Sequence, residues 1–231
     1  MAESDLHRQL MTNLIEALAA HFRGRQVYVS GNLMLYYERG NPKASLSPDV
    51  MVTLDHPPHP REIYKLWEEG KMPEFVIEVT SRTTRRKDLH HKKALYETLG
   101  VQEYLLFDPR GDYLEPRFQV YRRGGSGFLP VLVPAATGYT SPALQLTFRP
   151  VGDQLRIFDP QGRLLPTPAE QVARAAQEAA RAEQEAARAE QEPARAEQAA
   201  ARAEQEAARA ERAEAELRRL RALLQNPESR G

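Results

Sequence analysis

From Ala179 onward the chain repeats itself every seven residues. The block AARAEQE begins at Ala179 and returns from Ala186, from Pro193 with proline in the leading place, from Ala200, and in truncated form from Ala207. A stretch made almost only of Ala, Glu, Arg and Gln has strong helical propensity and too few bulky side chains to build a core of its own. One regular structure is open to it, a long helix, so the rest of the fold must be made upstream. The pairs Ala179 and Ala182, Ala186 and Ala189, and Ala200 and Ala203 alternate steps of three and four, which is the seam of a coiled coil. Leu217, Leu220 and Leu224 place larger side chains on that seam near its end. Glu178 to Arg181 and Arg181 to Glu185 are spaced to pair along the helix surface. Pro193 is expected to kink or break this helix, at a cost of about 3 kcal/mol. Two readings stay open: an arm that pairs copies of the chain or grips a partner, and a solvated single helix.

The composition changes at Pro166-Thr167-Pro168, and none of the six His, nine Tyr or seven Phe lies beyond that point. Two domains are therefore expected, residues 1–165 and 166–231. Lys plus Arg and Asp plus Glu each total 32, so the net charge is zero and a bulk polycation is excluded. The absence of cysteine excludes disulfides, thiolate zinc sites and thiol nucleophiles. No apolar run approaches the roughly 18 residues of a membrane span, and MAESDLHRQL lacks the order of a secretory signal. The expectation is a soluble cytoplasmic protein with no membrane contact.

In the first domain, Asp5 to Phe22 reads as an amphipathic helix with Leu6, Leu10, Leu14, Ile15, Leu18 and Phe22 on one face. Short β-rich runs follow at Val27–Val29, Leu33–Tyr37, Val50–Leu54, Phe75–Val79, Tyr104–Phe107, Phe118–Tyr121 and Leu155–Phe158. A helix from about Thr84 to Leu99 is stopped by Gly100, and a smaller one is expected over Arg61 to Glu69, with Trp67 packing it. The order predicts an α/β (α+β) domain.

Two carboxylates stand out. Asp49 follows Ser47-Pro48 where a loop enters a strand, and Glu78 interrupts the apolar run Phe75-Val76-Ile77-Glu78-Val79. A carboxylate inside an apolar strand is rarely buried without a partner or a metal. On neighbouring strands the two acids can share one magnesium ion, a hard cation that prefers oxygen ligands. Asp88, Lys92 and Tyr96 are four apart and line one helix face. That face either carries an exposed ion pair or looks back at Glu78, where Lys92 serves a water or a phosphate. Arg82, Arg85, Arg86 and Lys87 form a basic cluster beside it, placed to hold a phosphate backbone or to solvate a turn. The adjacent His90 and His91 point about 100° apart and cannot chelate one ion together. His56 and His59 lie in a Pro-rich loop. Asp108-Pro109 and Asp159-Pro160 each end a β run, as turn chemistry does, and Gly124, Gly125 and Gly127 read as a hairpin loop.

Ser47-Pro48-Asp49, the run Pro73 to Ser81, Asp88 with Lys92 and Tyr96, Gly100-Val101-Gln102-Glu103-Tyr104 and Phe107-Asp108-Pro109, taken in this order, resemble the Uma-two family of restriction endonucleases within the PD-(D/E)XK nuclease superfamily. The resemblance covers roughly residues 5 to 165 and leaves the heptad tail unexplained. It implies a restriction-endonuclease-like mixed sheet flanked by helices, here followed by a long C-terminal α-helix or coiled coil. It also implies hydrolysis of DNA phosphodiesters, most simply in duplex DNA, with Mg (or Mn). On this resemblance Asp49 and Glu78 are the metal-binding acids. The superfamily's lysine stands two residues after the second acid, where this chain has Thr80; the resemblance implies a lysine from the next helix, Lys92, with Lys93 beside it. Asp88 matches a further recurrent position, Arg85 and Arg86 are accessory candidates, and Glu16 on the first helix is a substitute ligand or a surface residue. A homodimer joined through the C-terminal helix would suit cutting both strands of a duplex. The alternative is a catalytically inactive nuclease fold acting as a DNA-binding or assembly module through its coiled coil, which Thr80 and the tail favour.

Overall fold

The computed structural model describes residues 4–225, apart from the side chains of residues 194 and 223–225. The side chain of Leu224, expected on the heptad seam, thus lies outside the described residues. The chain divides into two compact units between Gln171 and Val172.

The first unit opens with α1 (Asp5–His21), capped by Ser4, whose hydroxyl accepts the His7 N–H at 3.2 Å. Then follow β1 (Val27–Ser30), β2 (Leu35–Tyr36), β3 (Ser45–Leu46), β4 (Val50–Leu54), β5 (Tyr64–Lys65), α2 (Leu66–Glu69) and β6 (Phe75–Val79). A π-helical segment over Lys87–Lys92 runs directly into α3 (Lys93–Leu99), which Gly100 ends in the left-handed conformation. The rest is β-structure: β7 (Glu103–Phe107), β8 (Phe118–Gly124), β9 (Gly127–Val131), β10 (Tyr139–Thr140), β11 (Thr147–Val151) and β12 (Gln154–Phe158).

The main sheet has six strands in the order β1-β4-β6-β7-β8-β9. Only β6 and β7 are parallel and the other neighbours are antiparallel, so the sheet is mixed. Two three-stranded sheets, β10-β11-β12 and β3-β2-β5, complete the β-structure.

Strand alternation sends side chains to two cores. Val50, Val52, Phe75, Ile77, Val79, Leu105 and Phe107 pack against Leu10, Leu14 and Leu18 of α1 and against Phe148 and Ile157 of the small sheet. Met51, Val76, Tyr104 and Leu106 face the opposite core, with Tyr96 of α3. All five residues of β6 and all five of β7 are buried, as strands covered on both faces must be. Period two puts Glu78 on the face of Val76, beneath the π-helical segment and α3.

The helix expected over Arg61 to Glu69 forms only from Leu66. Arg61 is otherwise committed: its guanidinium grips Glu69 at 2.7 Å and the carbonyls of Pro57 and His59, while Tyr64–Lys65 pairs with β2. His56 meets the same Glu69 at 2.7 Å, which gives it a tethering role. Trp67, expected to pack this helix, is instead 37 % exposed. β3, β5, β9, β10 and β11 were not expected from the sequence; three of them are only two residues long.

The second unit lies within α4, which runs from Pro168 to Gln225. Its start carries a capping box, with Glu170 accepting the Thr167 N–H at 2.8 Å and Thr167 accepting the Glu170 N–H at 3.3 Å. Of the kink or break expected at Pro193, the break does not occur: the helix is continuous through it. Proline there forfeits one hydrogen bond, and the long flanks of strong helix formers carry the chain across. No described helix is long and apolar enough to cross a membrane.

Candidate active site

Antiparallel pairing of β4 with β6 sets Val50 opposite Ile77, and the same register carried one residue further sets Asp49 opposite Glu78. The two strands are thus direct neighbours. Asp49 is held by its backbone surroundings: its Oδ2 accepts the Val79 N–H at 2.7 Å. Gly31 lies against it so closely that a Cβ there would stand 2.0 Å from the Asp49 carbonyl oxygen, so glycine is the residue this approach admits.

Glu78 is 1 % exposed and both its oxygens are engaged. Tyr96 donates its hydroxyl to Oε1 at 2.7 Å, and Lys92 donates Nζ to Oε2 at 2.7 Å. Lys92 also donates to the Ser47 carbonyl at 3.2 Å and stands 3.7 Å from Asp88 Oδ1. Asp88 is itself buried, and neither of its oxygens accepts a hydrogen bond of ordinary length. The Thr84 hydroxyl is near enough only to moderate its charge. The structure therefore brings Asp49, Glu78, Asp88, Lys92 and Tyr96 together. Lys92 and Tyr96 reach Glu78 from one helical face, and the π-helical turn sets Asp88 behind the lysine.

The electrostatics follow from crowding three carboxylates around one ammonium. Burial is the largest effect on Glu78 and raises its carboxyl to about 8; Lys92 opposes the rise, and Asp49 and Asp88 add to it. Burial also raises Asp88, against the pull of Lys92. For Lys92, burial would lower the ammonium, but Glu78, Asp49 and Asp88 outweigh it and hold the group above the usual lysine range. Burial raises the Tyr96 phenol well above its usual range, and Glu78 adds to the effect, so the hydroxyl stays a donor.

Asp49 and Lys92 line a cleft of about 430 Å³. It opens beyond the carboxyl ends of the parallel pair β6 and β7, the place where open sheets of this kind gather ligands. The segment after β6 forms one wall, with Thr80, Ser81, Arg82, Thr83 and Thr84; the segment after β7 forms another, with Asp108, Arg110 and Tyr113. Thr80 is buried and supplies no charge, so the ammonium at this site comes from the helix. Of the basic cluster, Arg82 lines the cleft, while Arg85, Arg86 and Lys87 are exposed and stand outside it. The structure does not bring Lys93 to the site: its Nζ lies 3.8 Å from the centre of the Tyr121 ring. Glu16 is exposed on α1. Asp108 and Asp159 cap turns, each accepting backbone N–H groups from the loop that follows.

One further residue at the site escaped the sequence reading. His7 of α1 places Nε2 3.3 Å from Asp49 Oδ2 and lines the cleft. The signal was present: His7 is three residues before Leu10 and seven before Leu14, so it falls on the buried stripe of an amphipathic helix. Arg110 and Tyr113 gave no signal beyond the Asp-Pro turn that precedes them.

These features define a mixed α/β protein with a charged cleft at the ends of its parallel strands. The chain belongs to the Uma2 family, described as "Putative restriction endonuclease", whose model matches residues 1–151. A crystal structure described as a putative nuclease belonging to DUF820 from Anabaena variabilis ATCC 29413 is similar at a TM-score of 0.46 and 16 % sequence identity, over 62 % of this chain and 76 % of that one. No curated protein matches the sequence.

Proposed function

We propose that the chain is a metal-dependent endonuclease that hydrolyses DNA phosphodiester bonds, with Asp49 and Glu78 holding Mg²⁺ (or Mn²⁺) and Lys92 serving the reacting phosphate. One observation carries this reading: Lys92 Nζ lies 2.7 Å from Glu78 Oε2 and lines the cleft beside Asp49, although it stands 14 positions along the chain from Glu78. A lysine from the helix thus supports the role that Thr80 cannot fill.

The donor set fits a divalent cation. Asp49, Glu78 and Asp88 share one ammonium, and the mutual repulsion that helps raise Glu78 and Asp88 is what a bound cation would offset. Among the described residues, no three His, Asp or Glu groups converge into a ready-made cage. Magnesium takes one or two carboxylates and keeps its own waters, so Asp49 and Glu78 would be its protein ligands. Each Glu78 oxygen holds a second lone pair beyond the one its donor uses. When bound, such an ion lowers the pKa of a water and offsets charge at a phosphate. The chain's own groups do the positioning: the Val79 N–H orients Asp49, and the Tyr96 hydroxyl stops Glu78 from turning. The Lys92 ammonium is held charged to stabilise negative charge building on the phosphate, and Asp88 keeps it charged and aimed. Arg82 on the cleft wall meets the scissile strand, with Arg85 and Arg86 on flanking phosphates. Copies paired through α4 would present two such sites to one DNA.

A second reading, an inactive nuclease fold serving as a DNA-binding or assembly module, is favoured by the sealing of Glu78, whose oxygens are both already satisfied. Titration calorimetry with Mn²⁺ separates the two. The nuclease reading predicts one saturable site per chain that Asp49→Asn and Glu78→Gln each weaken by at least about tenfold. A folded protein that takes up no Mn²⁺ would instead support the inactive module.

A further inference from the structure

The wall of the cleft that follows β7 is built to present two side chains. Asp108 is wholly buried, and its carboxylate accepts the N–H groups of Arg110 at 3.2 Å, Tyr113 at 2.5 Å and Leu114 at 3.0 Å. Three bonds to one buried acid fix the backbone from 108 to 114, so Arg110 and Tyr113 are held at the cleft rather than sweeping past it.

Both are uncommitted. Tyr64, Tyr96, Tyr104, Tyr121 and Tyr139 each donate their hydroxyl to a protein acceptor; among the described residues the half-buried Tyr36 and Tyr37 do not, and they lie outside the cleft. Tyr113 is half-buried in the cleft, yet among the described residues its hydroxyl makes no hydrogen bond and its ring meets no other ring. Arg110 on this wall and Arg82 in the segment after β6 are exposed, and neither guanidinium meets a carboxylate among the described residues. An aromatic side chain that shares a cleft with exposed cations is the recognition chemistry of a nucleic-acid strand whose bases are unstacked. A cleft of about 430 Å³ has room for a nucleotide with its phosphate.

We propose that the 108–113 wall is a nucleoside subsite: Tyr113 stacks on an unpaired base and Arg110 holds its phosphate, which directs the site to single-stranded, gapped or otherwise opened DNA over intact duplex. This rests on the nuclease reading for its consequence, since Asp49 and Lys92 line the same cleft. The binding itself does not depend on turnover.

The test is fluorescence anisotropy with the full chain in EDTA, using a short labelled DNA single strand, the same sequence as duplex, and a duplex with a one-nucleotide gap. The expected result is that the single strand and the gapped duplex bind about tenfold more tightly than intact duplex. Tyr113→Ala removes that preference while duplex binding stays the same, and Tyr113→Phe retains it. Arg110→Ala weakens all three probes and flattens the salt dependence. Equal affinity for strand and duplex, or an unchanged preference in folded Tyr113→Ala, overturns the subsite. Cutting of the same probes with Mg²⁺ is scored separately: the preference without cutting sinks the nuclease reading alone, and cutting without the preference sinks the subsite alone.

Discussion

Glu78 concentrates the chemistry of the site because it is a carboxylate that the fold has removed from water. Its carboxyl is raised to about 8 from the usual 4.5, so between those values the folded chain holds a proton that the unfolded chain has released. A group raised in this way contributes stability that is complete below about pH 4.5 and is lost as pH climbs through about 8. Asp88 is raised as well and acts in the same direction. In EDTA, the denaturant midpoint of the wild-type protein is therefore expected to fall from about pH 5 to about pH 8. Glu78→Gln, which keeps the shape and has no proton to lose, should make that fall shallower. A midpoint that rises over this range would contradict the burial argument. At this scale much of the site was legible in the sequence, because a charge inside Phe75–Val79 violates an otherwise apolar run and the spacing of Asp88, Lys92 and Tyr96 marks one face. His7 could be read by the same logic, but Arg110 and Tyr113 could not, since residues in a loop break no periodic pattern.

Among the elements, the π-helical turn does the most to shape the site. It adds one residue to a helical circuit between Lys87 and Lys92. Deleting the exposed His90 would restore α-helical winding and put Asp88 three positions from Lys92 instead of four, which displaces the carboxylate from the ammonium. Such a variant is expected to keep its far-ultraviolet circular dichroism and to lose cutting by about 100-fold, the scale of a small misplacement in an active site. Undiminished cutting by a folded deletion variant would show that the wide turn does not matter. The main strands Val50–Leu54 and Phe75–Val79 could be read to the residue because long alternating or wholly apolar runs are strong signals. The two-residue strands at Ser45–Leu46, Tyr64–Lys65 and Tyr139–Thr140 could not, because pairing and not local pattern makes them. Nor was the π-turn legible, since its extra residue leaves the helix-forming composition unchanged.

For the whole molecule, the seven-residue repeat and the cleft belong to one account if α4 joins two copies. Leu217 and Leu220 are each about half exposed and so accessible to a second helix. Sedimentation of the full chain should give a dimer that dissociates on dilution, and Leu217→Glu with Leu220→Glu should give a monomer. A wild-type monomer at every concentration would remove the pairing and leave α4 a solvated helix. The measurement that reaches the central claim most directly is cutting of supercoiled plasmid and single-stranded circles with Mg²⁺, Mn²⁺ or EDTA. Wild type, Glu78→Ala and Lys92→Ala are run together, each checked for folding. The account predicts metal-dependent cutting by wild type, none in EDTA, and at least a 100-fold loss, on the order expected for removing a charge-stabilising group, in both variants. A folded Glu78→Ala protein that still cuts with Mg²⁺ would contradict it.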